Sequence, residues 1–305
     1  MLLPKPLRGI VPPIVTPLLD RDTLDRPAVE ALVDRLISAG VSGIFLLGTT
    51  GEASSLIYRL RREFVEHVTA YIADRVPVLV NITDTAMSES LLFADHASKS
   101  GASGLVLSPP FYFSLTQCEL LHYLERIAPD LPLPTYLYNF PAMTKNPYAP
   151  ETVAAAASLP NLCGIKDSSG DMAYFAELIR VLAGHPDFAV FCGPEEILAK
   201  AIAMGAHGGI AGGANLWPEL YVDLYRASVK GETGEVERLQ ALVMHMSARV
   251  FHRMSSSSPT RYLRGMKCGL SLIGACRNIL AEPLESFGAD DIEEIRRALV
   301  EVGRV

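Results

Sequence analysis

The stretch "LCGIKDSSGD" (residues 162–171) opens as a short, near-continuous apolar run and closes on Asp, Ser and Gly, the punctuation of a turn. A run that is apolar throughout, rather than alternating, suits a parallel strand covered on both faces. Its last residues include Lys166. An ammonium at the end of a buried strand either snorkels to water or is kept there for its amine. Taken alone, the stretch favours snorkelling.

Similar runs lie on both sides of it. Toward the N-terminus they are "PTYLYNF" (134–140), "GLVLSPP" (104–110), "VPVLVNI" (76–82), "GIFLLG" (43–48) and "GIVPPIV" (9–15). Toward the C-terminus come "AVFCG" (189–193) and "GGIAGG" (208–213). Helical patterns separate them. In "RPAVEALVDRLISAG" (26–40), Asp25 is placed to cap the N-terminus, and Val29, Leu32, Val33, Leu36 and Ile37 mark one apolar face. A weak repeat supports the alternation: "AGVSG" (39–43), "SGASG" (100–104) and "MGAHG" (204–208) each put Gly one residue into the turn that ends a helix. A left-handed helix cap costs least at a residue without a Cβ. Eight strands alternating with helices predict an α/β fold of the (β/α)8 TIM-barrel class over residues 1–229. The rival, an open doubly wound sheet, lacks its glycine fingerprint after the first strand. After Gly213 only helical patterns remain, so residues 230–305 are expected to form a C-terminal helical extension packed on the barrel. "SSSSP" (255–259) reads as a loop leading into the third of the late helices.

Composition narrows the function classes. A net charge of −7 with no basic stripe argues against a nucleic-acid partner. No apolar run reaches the ~18 residues of a membrane span, and the N-terminus has no signal-peptide core. Five dispersed cysteines with no CxxC suit reduced thiols in a cytoplasmic protein. The scattered histidines, with His245 and His252 seven apart, give no metal-ligand spacing, so no metal is expected.

In a barrel of this class the chemistry sits at the carboxyl ends of the strands. Strand two runs into "GTTGE" (48–52), where hydroxyls between glycines suit either an anion nest or a capping turn. Strand four ends "SPPFYF" with Tyr112, and strand five ends "YLYNFPAMT" with Tyr138. Neighbouring parallel strands lie ~4.8 Å apart, so Tyr138 and Lys166 are expected to meet in the barrel mouth. Desolvation disfavours a charged amine, and a neutral one attacks a ketone to form a Schiff base. The protonated imine is then an electron sink for an adjacent carbon–carbon bond. Such chemistry needs a proton shuttle and an anion site, which Tyr138 and the Thr49–Thr50 turn offer.

"GTTGE", "SPPFYF", "YNFP" and "GIKD", in that order, resemble the dihydrodipicolinate synthase / N-acetylneuraminate lyase family of pyruvate-dependent class I aldolases, across essentially the whole chain. The resemblance implies a TIM barrel, usually a homotetramer, acting on pyruvate and an aldehyde with no cofactor beyond the covalent Schiff base. It places the Schiff-base lysine on Lys166, the proton relay on Tyr138 and Thr49, and the pyruvate carboxylate on Thr50 in the turn opened by Gly48. The relay's second tyrosine, lent by a neighbouring subunit, falls on Tyr112. Gly193 and Ile210 fall on positions lining the pyruvate pocket. Synthases of the family carry an arginine where this chain has Met143, and a thioether cannot make the forked bonds an arginine makes to a carboxylate. Lys145 is the nearest substitute. "YNFPAMT" is more similar to the family's 2-keto-3-deoxy sugar acid aldolases, in which a hydroxyl two residues after the lysine, here Ser168, bonds substrate hydroxyls. Asp167 and Ser169 either add contacts or cap the next helix. "AGGAN" (211–215) either opens room for a polyhydroxy tail or packs tightly.

The expected activity is reversible cleavage of a 2-keto-3-deoxy sugar acid, such as 2-keto-3-deoxygluconate, to pyruvate and an aldehyde. The alternatives are condensation of pyruvate with aspartate semialdehyde, another pyruvate-dependent lyase or hydratase-aldolase, and a non-catalytic barrel. A phosphate-binding barrel is weaker still, because "GGIAGG" has no nearby Lys or Arg.

Overall fold

The computed structural model describes residues 3–251 and 260–305. The "SSSSP" loop lies outside the described residues. The strands are β1 (Gly9–Ile10), β2 (Ile44–Leu46), β3 (Val78–Asn81), β4 (Gly104–Leu107), β5 (Thr135–Asn139), β6 (Leu162–Asp167), β7 (Ala189–Cys192) and β8 (Gly208–Gly209). The helices are α1 (Arg26–Ser38), α2 (Tyr58–Ile72), α3 (Met87–Lys99), α4 (Gln117–Ile127), α5 (Pro141–Thr144), α6 (Pro150–Ala156), α7 (Met172–Val181), α8 (Leu198–Ala203), α9 (Pro218–Lys230), α10 (Thr233–Met246), α11 (Arg261–Leu272) and α12 (Ala289–Glu301).

The eight strands pair in parallel in the order β1-β8-β7-β6-β5-β4-β3-β2. The ring closes between β1 and β2, where Phe45 N–H donates to Pro12 O and Ile14 N–H to Phe45 O, both at 2.9 Å. This is the TIM barrel expected from the alternation. β1 is shorter than its apolar run because Pro12 and Pro13 carry no N–H for the ladder. Asp25 caps α1 by accepting from Ala28 N–H, and Gly40, Gly101 and Gly205 take positive φ at the three repeated turns.

Two concentric cores result. The larger lies between strands and helices and includes Phe64, Phe175, Leu224, Met266 and Ile295, so the late helices share it with the barrel. The smaller fills the barrel: Leu3, Leu7, Val11, Phe45, Leu79, Val106, Tyr136, Tyr138, Phe191 and Ile210. Tyr136 lies edge-on to Phe191 with centroids 5.9 Å apart. Gly164 makes room for that pair, since a Cβ there would lie 2.5 Å from the Tyr136 ring and 2.6 Å from Ala189 O. Gly164 stands one inward position below Lys166, so it also fixes the floor of the cavity mouth.

Candidate active site

β5 and β6 run in register with Tyr138 beside Lys166. Both side chains point into the barrel, and each residue is only 4% exposed. The Lys166 Nζ lies 4.2 Å from the Tyr138 ring centroid and 5.5 Å from that of Phe45. Lys166 therefore does not snorkel; it stands against the faces of two aromatic rings, which favour a cation.

β2 delivers the hydroxyls. Beyond it, Leu47 takes φ 59 and Thr49–Gly51 form a 3₁₀ turn, followed by Glu52 at φ 57. Gly48 is required by close approach, because a Cβ there would sit 2.7 Å from the Phe45 ring. Thr16 Oγ1 donates to Gly51 O at 2.8 Å and braces the turn. Thr49 Oγ1 then lies 3.3 Å from the Tyr138 hydroxyl, and either oxygen can donate. Lysine, tyrosine and threonine, drawn from three strands, form one constellation.

The end of β6 is a second polar group. Asn139 Nδ2 donates to Asp167 Oδ1 at 2.8 Å, Ser169 Oγ donates to Asp167 Oδ2 at 2.8 Å, and Asn139 Oδ1 accepts from Tyr148 N–H. Burial pushes the Asp167 carboxyl above its ordinary range, against the pull of Asn139 and Ser169. Asp167 and Ser169 are thus spent on each other. The helix cap is instead Asp171, which accepts from Ala173 and Tyr174 N–H. Ser168 Oγ lies over Gly193, where a Cβ would be 2.0 Å from it. Those two sequence candidates share one spot.

At the ends of β7 and β8 the structure adds a carboxyl that the sequence did not flag. Glu195 is buried and accepts from Gly213 N–H, from Tyr221 OH and, at 3.1 Å, from Tyr262 OH. Desolvation pushes its carboxyl up to about 7, and these donors pull against it. The glycines of "AGGAN" are filled rather than open. A Cβ on Gly212 would meet the Tyr262 hydroxyl at 1.9 Å, and one on Gly213 the Tyr221 hydroxyl at 2.0 Å. Tight packing is the better reading of that segment. Ile210 lies in the barrel interior, 1% exposed.

Other candidates stay apart. Tyr112 is 87% exposed on a loop with φ 97, flanked by exposed Phe111 and Phe113. Met143 is exposed on α5. Lys145, the nearest substitute for an arginine, lies on the surface, where its Nζ donates to Ala142 O at 2.7 Å. Lys267 and Glu52 form a fully buried ion pair at 3.0 Å that sequence reading also missed. A lysine within a helical pattern gives no signal for this. Among the described residues, no group of three His, Cys, Asp or Glu is arranged to hold a metal, and no helix is long and apolar enough to cross a membrane.

The model of the dihydrodipicolinate synthetase family matches residues 6–302. The chain belongs to the dihydrodipicolinate synthetase family. Members are carbon–carbon lyases and aldolases that hold pyruvate as a Schiff base on a lysine, without a metal. This chain is an enzyme of that class. It is similar to a putative 2-dehydro-3-deoxy-D-gluconate aldolase, YagE, of Escherichia coli, 35% identical over 74% of this chain and 76% of that one. YagE has been solved in complex with pyruvate; that structure superposes with a TM-score of 0.91, covering 98% and 99% of the two chains at 28% identity. A probable 2-dehydro-3-deoxy-D-pentonate aldolase of the same organism, YjhH, is 34% identical over 80% and 82%. A dihydrodipicolinate synthase of Bacteroides thetaiotaomicron is 43% identical, with a TM-score of 0.94 over 98% and 100%.

Proposed function

We propose that this family member cleaves a 2-keto-3-deoxy sugar acid, of which 2-keto-3-deoxygluconate is the model substrate, to pyruvate and an aldehyde, and runs the reverse condensation. The observation that carries the reading is the buried Lys166 amine against Tyr138, with the Tyr138 hydroxyl 3.3 Å from Thr49. The amine adds to the ketone of the substrate, water leaves, and a protonated imine forms against the same ring faces. A base takes the proton of the hydroxyl on the far carbon of the bond to be broken, whose oxygen becomes the carbonyl of the aldehyde. That bond's electrons pass into the imine, giving an enamine and a free aldehyde. Protonation of the enamine carbon and hydrolysis return pyruvate and Lys166. Tyr138, linked to Thr49, is the group in place to carry the proton in both directions. Thr50 takes the keto-acid carboxylate, and Gly193 with Ile210 shapes the pocket.

Ser168, above Gly193, is assigned to a substrate hydroxyl. Tyr112 acts in a neighbouring copy: the exposed trio Phe111, Tyr112 and Phe113 suits burial in an oligomer, proposed to be a homotetramer. The five cysteines, none in a disulfide, suit a reducing cytoplasm. The synthase reading, condensation with aspartate semialdehyde, draws on the similarity to the Bacteroides enzyme. Against it stands Met143 at the position of the synthase arginine.

Three experiments test this. Pyruvate with borohydride should leave one pyruvate-sized adduct on Lys166; an adduct elsewhere, or none, refutes the assignment. In an acceptor panel, glyceraldehyde should outperform aspartate semialdehyde, and the opposite order would establish the synthase. Tyr138→Phe should slow turnover ~10²–10⁴-fold, the usual cost of losing acid–base help.

A further inference from the structure

Tyr112 sits in the loop between β4 and α4 at φ 97, a backbone region that a bulky side chain ordinarily avoids. Such a conformation persists only where the surroundings over-determine it. The loop's own residues do little toward that. Pro109 and Pro110 carry no N–H with which to tie their end of the loop. Phe111, Tyr112 and Phe113 are all exposed, so burial within one chain holds none of the three rings.

The hold comes from Asn146, in the segment between α5 and α6. Its Nδ2 donates to Pro110 O at 2.7 Å and to Phe113 O at 2.8 Å, and its Oδ1 accepts from Leu115 N–H at 2.8 Å. Two of these bonds flank Tyr112, and the third ties the loop just before α4. A carboxamide has two hydrogens to give, and both go to carbonyls on either side of residue 112. Asn146 is 1% exposed, and the reversed amide would set its oxygen against two carbonyls, so one orientation satisfies every partner.

The segment that carries Asn146 is itself tied to the site of its own chain. Tyr148 N–H donates to Asn139 Oδ1 at 3.1 Å, and Asn139 Nδ2 donates to Asp167 Oδ1 at 2.8 Å. Asn139 follows Tyr138 on β5, and Asp167 follows Lys166 on β6. From the start of α4, Gln117 donates to Pro147 O and accepts from Ala149 N–H, each at 2.8 Å. The strand ends that carry the lysine and the tyrosine therefore also set where Tyr112 projects from the chain.

We propose that Asn146 is the positioning residue for Tyr112, its amide holding the strained loop so that the tyrosine projects toward a neighbouring copy, a role that rests on the reading of Tyr112 as a member of that copy's relay. Asn146 touches neither substrate nor lysine in this role; it acts through Tyr112 alone.

The test reads proton movement without an aldehyde: exchange of the pyruvate methyl hydrogens with deuterium oxide, followed by proton NMR. The Lys166 amine adds to the ketone and water leaves; the methyl group of the imine gives a proton to the relay, forming the enamine. A deuteron then returns to the same carbon, and water releases deuterated pyruvate. Tyr112→Phe should lower the saturated exchange rate ~10²-fold, as for lost acid–base help. Asn146→Ala should approach the same ~10²-fold loss, the usual result of misplacing a reacting group by ~1 Å, with the half-saturating pyruvate concentration little changed. The double variant separates positioning from general weakening. Added to Tyr112→Phe, Asn146→Ala should cost less than about threefold more, because residues that act as one do not add. Losses that multiply overturn the proposal, and so does an Asn146→Ala protein that exchanges at the parent rate while Tyr112→Phe does not. Where Asn146→Ala folds poorly, Asn146→Asp keeps the shape and the acceptor for Leu115 N–H but loses the donors to Pro110 and Phe113, and should behave alike in the same cycle. A parent that exchanges no hydrogens overturns the pyruvate reading itself. A Tyr112→Phe protein that exchanges at the parent rate overturns the relay role of Tyr112. Both results are distinct from multiplied losses in an enzyme whose parent exchanges normally.

Discussion

Lys267→Met tests what holds the Thr49–Thr50 turn to the late helices. The Lys267 side chain is fully buried, and its Nζ lies 3.0 Å from Glu52 Oε1, 2.6 Å from Thr16 O and 2.7 Å from Ile279 O. The other Glu52 oxygen accepts Ala281 N–H at 2.7 Å. Methionine keeps most of the apolar stem and deletes the charge. It strands a buried carboxylate with one donor and leaves two carbonyls without theirs. Removing one partner of a buried pair costs about 3–5 kcal/mol, and each orphaned carbonyl adds about 1 kcal/mol or more. The sum approaches the whole margin of a marginal domain, ~5–15 kcal/mol. Urea unfolding followed by circular dichroism should show a loss of about 5 kcal/mol, and the melting temperature should fall by roughly 10 °C or more. The sharper check is the sign in a second variant. Adding Glu52→Gln to Lys267→Met removes the stranded charge yet keeps an acceptor for Ala281, and about 2 kcal/mol should return. A single variant that loses less than about 1 kcal/mol, or a double variant less stable than the single, would refute the stranded-charge argument.

Three further outcomes follow from the geometry. Gly164→Ala drives a methyl to 2.5 Å from the Tyr136 ring and 2.6 Å from backbone at Ala189, so it should cost about 3 kcal/mol or more; a parent-like melting temperature would contradict that floor. Because the folded state holds the Glu195 proton up to about 7 against an ordinary 4.5, it binds more protons than the unfolded chain between those values. Stability should therefore be full below the lower value and fall by on the order of 3 kcal/mol as pH rises through the upper one; Glu195→Gln should remove that component, and an unchanged pH–stability curve would deny the carboxyl its role. If Tyr112 serves a neighbouring copy, inactive Lys166→Ala and Tyr112→Phe proteins, refolded together, should recover activity in mixed assemblies, whereas a tyrosine acting in its own chain would give no recovery.

What the sequence made legible was what runs along the chain. The β6 stretch shows as an apolar run, and its lysine and the β5 tyrosine could be paired because adjacent parallel strands put successive strand ends side by side. The repeated turns showed through Gly40, Gly101 and Gly205, whose positive φ is a local demand. What stayed hidden depends on contacts between distant segments. Glu195 follows a strand and looks like a solvated loop acid until Tyr221 and Tyr262 close over it. Lys267 lies in a helical pattern where a lysine ordinarily marks the wet face. Gly212 and Gly213 show that something comes close, but not whether it is a ligand or a hydroxyl from α9 or α11. Asp167 and Ser169 looked equally like substrate ligands and caps, because a short polar run after a strand is compatible with both.

The two buried acids near the turn are handled in opposite ways, and the difference bears on function. Glu52 faces the Lys267 ammonium, an ion pair that ties the turn at residues 49–52 to α11 and to Ala281. Among the described residues Glu195 faces two hydroxyls and an amide N–H and makes no ion pair, and burial dominates its carboxyl. A charge with a fixed counter-charge makes an anchor, because separating the pair leaves each ion buried and alone. A carboxyl surrounded by hydroxyls makes an adjustable partner, because each hydroxyl can reverse the direction of its hydrogen bond at no cost in position. The anchor sets where Thr49 and Thr50 stand, and the adjustable acid holds the Tyr221 and Tyr262 hydroxyls at the ends of β7 and β8. On this argument the helices beyond the barrel serve the site as well as the core, since both devices need a residue from α11: Lys267 for the first and Tyr262 for the second.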